Sequence, residues 1–269
     1  MRMFDKLVTE ATSAPITGWD FSWLAGRSSV DRLPWSYRRV VAQHAAVAAT
    51  MLDMGTGGGE QLSEISPRPR HTVATEAWPP NVPVAATRLR PHSIPVVWDE
   101  GSPDNTADAS KDRGRLPFRS GAFALVINRH EAFRASEVAR VLARGGTFIT
   151  QQVDFHSYDA LYELLGLDVP HERESWLPVA RQQVVDAGLT VQQAVRGEER
   201  TQFHDVGAVI YYLRVVAWAV PEFSLDTHLA RLQAAHDNSA EWPLTLRLRR
   251  FLLVATKQTA SDETASGET

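Results

Sequence analysis

The residues best suited to chemistry stand in the stretch MLDMGTGGGE, at positions 51–60. Asp53, Gly55, Gly57 and Gly59 form the pattern D-x-G-x-G-x-G at the end of a short apolar segment. Glycine lets a backbone approach a ligand closely and leaves N–H groups free where a side chain would clash. The stretch is therefore typical of a turn that holds a nucleotide.

Two common nucleotide-binding turns fit this stretch poorly. A P-loop has a lysine followed by serine or threonine after its last glycine, but Glu60 stands there and its carboxylate would repel a triphosphate. The dinucleotide fingerprint G-x-G-x-x-G aligns with Gly55 and Gly57 and then meets Glu60 where its third glycine belongs. The P-loop is excluded, and the dinucleotide site is weakened but stays open.

An acid inside the turn favours a ligand that carries positive charge. S-adenosylmethionine has an ammonium and a sulfonium, and the carboxylate of Asp53 would complement them. The next strand-like segment, HTVATE, ends in Glu76, about twenty residues further on, where an acid can accept both ribose hydroxyls. Trp78 would lie against the adenine face or serve simple packing.

Four segments taken together resemble the class I S-adenosylmethionine-dependent methyltransferases, and in particular their type-11 small-molecule branch. They are LDMGTGGGE, VATE, LPFRSGAFALVINRH and EVARVLARGGTFIT, within residues 48–153. The resemblance implies S-adenosyl-L-methionine as cofactor and S-adenosyl-L-homocysteine as product. The cofactor-binding residues that it and the turn imply are Asp53, Gly55, Thr56, Gly57, Gly59, Glu76, Trp78, Asp99 and Asn128, with Leu116 and Phe118 flanking the site.

The chain departs from that family at two points. The family has an aspartate where this chain has Ala124. In addition, a polar insert at residues 101–115 separates the expected adenine contact from residues 116–118, which we call the LPF turn. Asp99 and Asp112 are the candidates for that contact, and we favour Asp99.

Possible catalytic residues follow the strand-like segment FALVINR. Methyl transfer is an in-line substitution, which needs an aligned acceptor and the exclusion of water. His130 is the best general-base candidate because its ordinary pKa lies near neutrality; alternatively, it caps a helix or bonds a carbonyl. Asn128, a second candidate, would organise the loop, and Arg129 would bind a substrate anion or a neighbouring acid.

Aromatic and amide residues elsewhere are candidates for substrate contact. Trp19 and Trp23 would line a lid over the ligand, or would only fasten an N-terminal cap to the main domain. Gln151 and Gln152 must point to opposite faces of a strand, so we select Gln152. Tyr211 lies in a later helical insert. His130, His156 and His204 form no recognisable ligand pattern, so we expect no metal site.

The elements that must hold these residues alternate in type. Strand-like segments are TMLDM, HTVATE, IPVVWD, FALVINR, GTFITQQV, LTVQQAVR and LTLRLRRFLLVATK, and the segments between them have helical spacing. This predicts a doubly wound, Rossmann-like α/β fold with a mostly parallel seven-stranded sheet and an antiparallel last strand at or near the sheet edge. We expect an N-terminal helical cap at 1–47, a methyltransferase domain at 48–257 with substrate-side helical inserts at 154–240, and a disordered tail at 258–269.

Composition limits the other possibilities. The 269 residues carry a net charge of −4 and no cysteine, which excludes thiol chemistry and disfavours a general nucleic-acid binder. The N-terminal residues lack a signal-peptide core, and we expect a cytoplasmic protein without a membrane partner.

These observations predict an enzyme that moves a methyl group from S-adenosylmethionine to an O or N atom of a small-molecule acceptor. An RNA or protein methyltransferase and a non-catalytic S-adenosylmethionine-binding regulator are the alternatives. Monomer and homodimer stay open.

Overall fold

The computed structural model describes residues 3–17, 20–102, 114–154, 158–170, 175–238, 240 and 242–259. The chain forms two compact units. The helical unit comprises Met1–Pro34, Asp154–Glu174 and Gly197–Arg249; the sheet unit comprises Trp35–Val153, Ser175–Arg196 and Arg250–Thr269. The domain boundaries expected from the sequence stay a prediction.

The described strands are β1 (Ser28–Val30), β2 (Thr50–Met54), β3 (His71–Glu76), β4 (Val96–Trp98), β5 (Phe123–Arg129), β6 (Leu142–Val153), β7 (Leu189–Phe203) and β8 (Leu244–Lys257). The described α-helices are α1 (Met3–Ser13), α2 (Tyr37–Ala45), α3 (Glu60–Ser63), α4 (Asn81–Leu89), α5 (Ala135–Val141), α6 (Asp159–Leu165), α7 (Trp176–Asp186), α8 (Val206–Val215) and α9 (Leu225–Asp237).

The strands form one sheet in the order β1-β7-β8-β6-β5-β2-β3-β4. The pairs β4·β3, β3·β2, β2·β5 and β5·β6 are parallel, and β8 is antiparallel to β6. The predicted Rossmann-like α/β fold with its antiparallel last strand is therefore confirmed.

Two details of the predicted sheet differ. The described residues contain eight strands and not seven, because the three-residue β1 pairs antiparallel with the end of β7. The last strand, β8, lies between β7 and β6 and is third from the end of the sheet.

In the sheet unit, the central strands are apolar on both faces, as a covered parallel sheet requires. One face, with Leu52, Val126 and Phe148, packs against α5 and α7. The other face, with Met51 and Ile127, packs against α2, α3 and α4. Because neighbouring residues of a strand point to opposite faces, Asp53 lies on the α2 side and Asn128 on the α5 side.

The helix expected between the strand-like segments FALVINR and GTFITQQV is shorter than the interval between them. It covers Ala135–Val141, and Leu142 already has an extended backbone (φ −67°, ψ 132°). Leu142 pairs with Phe123 and starts β6, so sheet pairing overrides helical spacing there.

The helical unit has its own core. It is built mainly from α1, α6, α8 and α9 with the adjoining parts of β7 and β8. Helix α8 is buried all round, and Asp205 caps its first turn by accepting a hydrogen bond from Ala208 N. None of the described helices is long and apolar enough to cross a bilayer.

Candidate functional site

The glycine turn directly follows β2, at the carboxyl edge of the parallel strands. Gly55, Gly57 and Gly59 have φ angles of +69°, +63° and +82°, a region that L side chains rarely adopt. Thr56 N donates to Thr75 O at 2.8 Å, which ties the turn to β3. Each of the three glycines thus occupies a position whose backbone conformation favours glycine.

Gly59 has a second role in packing. A Cβ at this position would lie 2.9 Å from Leu89 Cγ of α4. The absent side chain therefore lets α3 and α4 pack closely together.

Glu76 ends β3 and fastens its carboxylate to the same turn. Its two oxygens accept from Gly57 N at 2.6 Å and from Trp78 N at 2.9 Å. Further hydrogen bonds come from Ala77 N and the Asn81 side chain. Burial raises the pKa of Glu76, and these hydrogen bonds offset part of that shift. The acid thus stands beside the glycines, as the sequence spacing predicts.

Asp53 lies beneath the turn on the α2 side of the sheet. Burial is the main cause that raises its pKa to about 6, with a further contribution from Glu76. The Thr56 hydroxyl and the Arg129 guanidinium act in the opposite direction. The phenol of Tyr37 belongs to the same layer, where its hydroxyl donates to Asn128 O at 3.2 Å.

A pocket opens at the carboxyl ends of β2, β3, β4 and β5. Its lining includes Gly55 of the turn and the predicted residues Asp99 and Leu116, together with Glu131, which was not predicted. The complete lining is Met54, Gly55, Thr75, Ala77, Asp99, Gly101, Ser102, Gly114, Leu116, Glu131, Ala132 and Arg134. This position is where open α/β sheets bind their ligands.

Asp99 is half-buried at the pocket. Its amide donates to Glu76 O at 3.2 Å, which holds it next to the end of β3. Burial raises its pKa, with Glu100 and Glu137 adding to the effect, while a hydrogen bond from Gly101 N lowers it. Asp112, the other adenine candidate, lies outside the described residues.

The LPF turn is held by two side chains of α5. Arg140 donates to Phe118 O at 2.6 Å and to Leu116 O at 2.9 Å, and Glu137 accepts from Leu116 N at 2.9 Å. The two side chains also form an ion pair at 2.7 Å. This clamp was not predicted from the sequence, although an E-x-x-R pair on one helix face indicates such a contact.

Asn128 is fully buried at the end of β5. Its Oδ1 accepts from Thr150 Oγ1 at 2.8 Å and from Gln152 Nε2 at 2.6 Å. Its Nδ2 has no hydrogen-bond partner within the described part of the chain. A buried amide with one unsatisfied nitrogen is costly unless a ligand or water completes it.

The two successive glutamines face opposite sides, as predicted. Gln152 Nε2 lies 3.0 Å from Glu131 O on the α5 side, whereas Gln151 Oε1 accepts from Trp35 Nε1 at 2.8 Å on the α2 side. Both side chains are buried. Contact of Gln152 with a substrate stays a prediction.

His130 has a left-handed backbone, with φ +62°, directly after β5. Its Nε2 lies 3.3 Å from Arg250 Nη1 and must accept there, since arginine only donates. Part of the His130 side chain is accessible, but the surrounding protein removes water from the ring. This desolvation, together with the positive charges of Arg250 and Arg129, lowers the pKa of His130 well below its usual value. The ring is therefore neutral at neutral pH, as a proton acceptor must be.

Two predicted residues, Trp78 and Arg129, differ in exposure. Trp78 follows Glu76 and is 63% exposed, so its indole is available for stacking. Arg129 is half-buried beside Asp53 and Tyr37, and it lowers the pKa of both. A role for either residue with a ligand stays a prediction.

Trp23 and Tyr211 belong to the helical unit. Their rings stack at 4.7 Å, and Arg27 covers the indole at 4.3 Å. Tyr211 is 2% exposed, and its hydroxyl lies 3.0 Å from Asp20 O. These contacts are those of a packed core, and their contact with a substrate stays a prediction. Trp19 and His156 lie outside the described residues.

Comparison with known proteins bears on the fold. No family model matches the chain, and no curated protein matches it. One similar solved structure is the YcgJ protein from Bacillus subtilis, with a TM-score of 0.56 and 19% identity over 83% of this chain and 99% of that chain. Another is a putative methyltransferase, BH2331, from Bacillus halodurans C-125, with a TM-score of 0.56 and 17% identity over 82% of this chain and 99% of that chain. These similarities show that the chain shares the Rossmann-like α/β fold of these structures.

The same fold also serves other chemistry. The [4+2]-cyclase SpnF matches with a TM-score of 0.50 and 14% identity, over 83% of this chain and 81% of that chain. Because one fold can host several reactions, the function of this chain must be argued from its site.

Proposed function

We propose that this protein is a methyltransferase that uses S-adenosyl-L-methionine and transfers its methyl group to an O or N atom of a small molecule. The observation that carries the proposal is the left-handed glycine turn with the Glu76 carboxylate beside it, at the edge of a pocket. This arrangement suits a nucleoside, because its ribose hydroxyls can donate hydrogen bonds to the carboxylate and the rest of the ligand can pack against glycine backbone.

The residues present fit S-adenosylmethionine in three respects. The glycine turn exposes backbone to the pocket, Asp99 and Glu131 give the pocket a negative lining, and Asn128 keeps a buried N–H donor without a partner. A pyrophosphate would be repelled by such acids, whereas a ligand with an ammonium and a sulfonium is attracted. The dinucleotide reading is therefore disfavoured.

Each group has a role in this proposal. The bound cofactor supplies an electrophilic methyl group on a positive sulfur. Glu76 would accept from the ribose hydroxyls in exchange for some of its backbone donors, and Asp99 would accept from the adenine amino group. Trp78 would cover the adenine face. His130 would take a proton from the acceptor, once its Nε2 is released by Arg250.

Two observations favour a small acceptor. The pocket is bounded by the LPF turn, which Arg140 and Glu137 hold in place. The net charge of −4 provides no general attraction for an RNA backbone. A screen of O- and N-nucleophilic metabolites with labelled cofactor tests this part, and methylation of RNA or protein alone would refute it.

The cofactor proposal is tested by calorimetry with S-adenosylmethionine and S-adenosylhomocysteine on wild type and Gly57→Ala. Gly121→Ala is the matched control, because Gly121 also has a positive φ, +68°, and a Cβ there meets nothing within 4 Å. Each substitution costs about 1 kcal/mol of stability through backbone strain. Only Gly57→Ala is expected to weaken binding, by about tenfold, because Gly57 N donates to the Glu76 carboxylate that would hold the ribose.

Failure of the wild-type protein to bind either compound would refute the cofactor assignment. Binding without any methylated product across the acceptor screens would instead favour a regulatory S-adenosylmethionine-binding protein.

A further inference from the structure

Glu131 lies directly over the glycine turn. A Cβ at Gly55 would stand 2.4 Å from both Cβ and Cγ of Glu131, so only a glycine permits this approach. A Cβ at Gly101 would stand 3.1 Å from Glu131 Oε1. The carboxylate therefore spans the space between the end of β2 and the segment after β4, inside the pocket.

The charge of Glu131 is not compensated. Among the described residues, none donates a hydrogen bond to its carboxylate or forms an ion pair with it. Burial, together with the smaller effect of the negative charges of Glu76 and Asp99, raises the pKa of Glu131 to about 7. A carboxylate in such a place is unfavourable by itself and is stabilised by a cation.

The other two acids near the turn are less suited to a cation in the pocket. Asp53 points to the α2 side of the sheet and does not line the pocket. Glu76 already accepts hydrogen bonds from Gly57 N, Trp78 N, Ala77 N and the Asn81 side chain, and the proposed function assigns any acceptor site it exchanges to the ribose. Of Asp53, Glu76 and Glu131, only Glu131 lines the pocket and keeps free acceptor capacity.

We propose that the Glu131 carboxylate faces the sulfonium of bound S-adenosylmethionine, so that the site selects this cation over neutral S-adenosylhomocysteine. The inference rests on the proposed function. If Glu76 held the ribose and Asp99 the adenine, the sulfonium, one carbon from the ribose, would lie in the pocket that Glu131 lines. Loss of the positive charge on methyl transfer then weakens the contact and favours product release.

The test compares three ligands by calorimetry: S-adenosylmethionine, S-adenosylhomocysteine and sinefungin, which has a protonated amine in place of the methylated sulfur. Wild type is compared with Glu131→Gln, which keeps the shape and removes the charge. Glu100→Gln is the control, because Glu100 is exposed near the same edge and does not line the pocket.

Glu131→Gln is expected to bind the two cationic ligands about tenfold more weakly and S-adenosylhomocysteine with unchanged affinity, because one partly desolvated charge pair is lost. Glu100→Gln is expected to match wild type for all three.

Equal weakening of all three ligands by Glu131→Gln would assign the carboxylate to the shared ammonium and overturn the inference. Unchanged affinities would overturn it too. In both cases the proposed function survives, whereas a wild-type protein that binds none of the three ligands refutes both.

Discussion

Burial disfavours the negative charge of Asp53 in the ligand-free protein. Replacing this carboxylate with an uncharged side chain should therefore raise the free energy of unfolding. Asp53→Asn replaces the carboxylate with an uncharged side chain of nearly the same shape. The pKa of Asp53 rises from 3.8 to about 6 in the folded protein, chiefly because the group is buried. A difference of about two pKa units is equivalent to about 3 kcal/mol of unfolding free energy.

The direction of the pH dependence follows from this pKa. Below pH 3.8 the carboxyl is protonated in both the folded and unfolded states, and its charge costs nothing. Between pH 3.8 and 6 the cost develops, and above pH 6 it is complete. Relative to Asp53→Asn, the wild-type protein should therefore lose stability as the pH rises through this window.

The assay is urea-induced unfolding of ligand-free protein, followed by tryptophan fluorescence at pH 4.5 and pH 7.5. Asp53→Asn should exceed wild type by about 3 kcal/mol at pH 7.5 and by much less at pH 4.5. Asp31→Asn, at an exposed position, is the control and should show no such difference. The reasoning would be refuted if the stability advantage of Asp53→Asn over wild type did not increase from pH 4.5 to pH 7.5.

Two further predictions concern His130 and Tyr211. If His130 is the general base, His130→Asn should lower kcat by a factor on the order of 10² to 10⁴ across pH 6–9; asparagine tolerates the positive φ, and a rate equal to wild type would eliminate the role. Tyr211→Phe should lower the unfolding free energy by about 1 kcal/mol, since it loses the contact with Asp20 O, and should leave cofactor affinity unchanged in calorimetry. A weaker cofactor affinity in Tyr211→Phe, with stability unaltered, would contradict the packing role.

The sequence predicts the carboxyl edge of the parallel strands well because its signals are local. The segments TMLDM, HTVATE and FALVINR coincide with β2, β3 and β5. The glycines at alternate positions predict a turn with unusual φ angles, and Glu76 ends the following strand, as its spacing suggests.

The features that the sequence did not predict depend on distant partners. The short β1 exists only by pairing with β7, which lies more than 150 positions later. The approach of Glu131 to Gly55 depends on how two neighbouring strands end, and no residue pattern encodes that distance. The burial of an aromatic residue such as Tyr211 likewise depends on distant contacts, here with the segment that follows α1.

The clamp on the LPF turn has a polarity that a simple ion pair lacks. Arg140 supplies donors to two carbonyl oxygens, while Glu137 supplies an acceptor to one amide. Exchanging the two residues would keep the net charge and the ion pair. It would, however, place the donating guanidinium against the Leu116 amide and the accepting carboxylate against the two carbonyl oxygens. A lysine at 140 would lack the planar fork that reaches both carbonyls at once. The position of one pocket wall thus depends on the order of two residues on one helix turn, glutamate before arginine. The opposite order would not hold the wall in place.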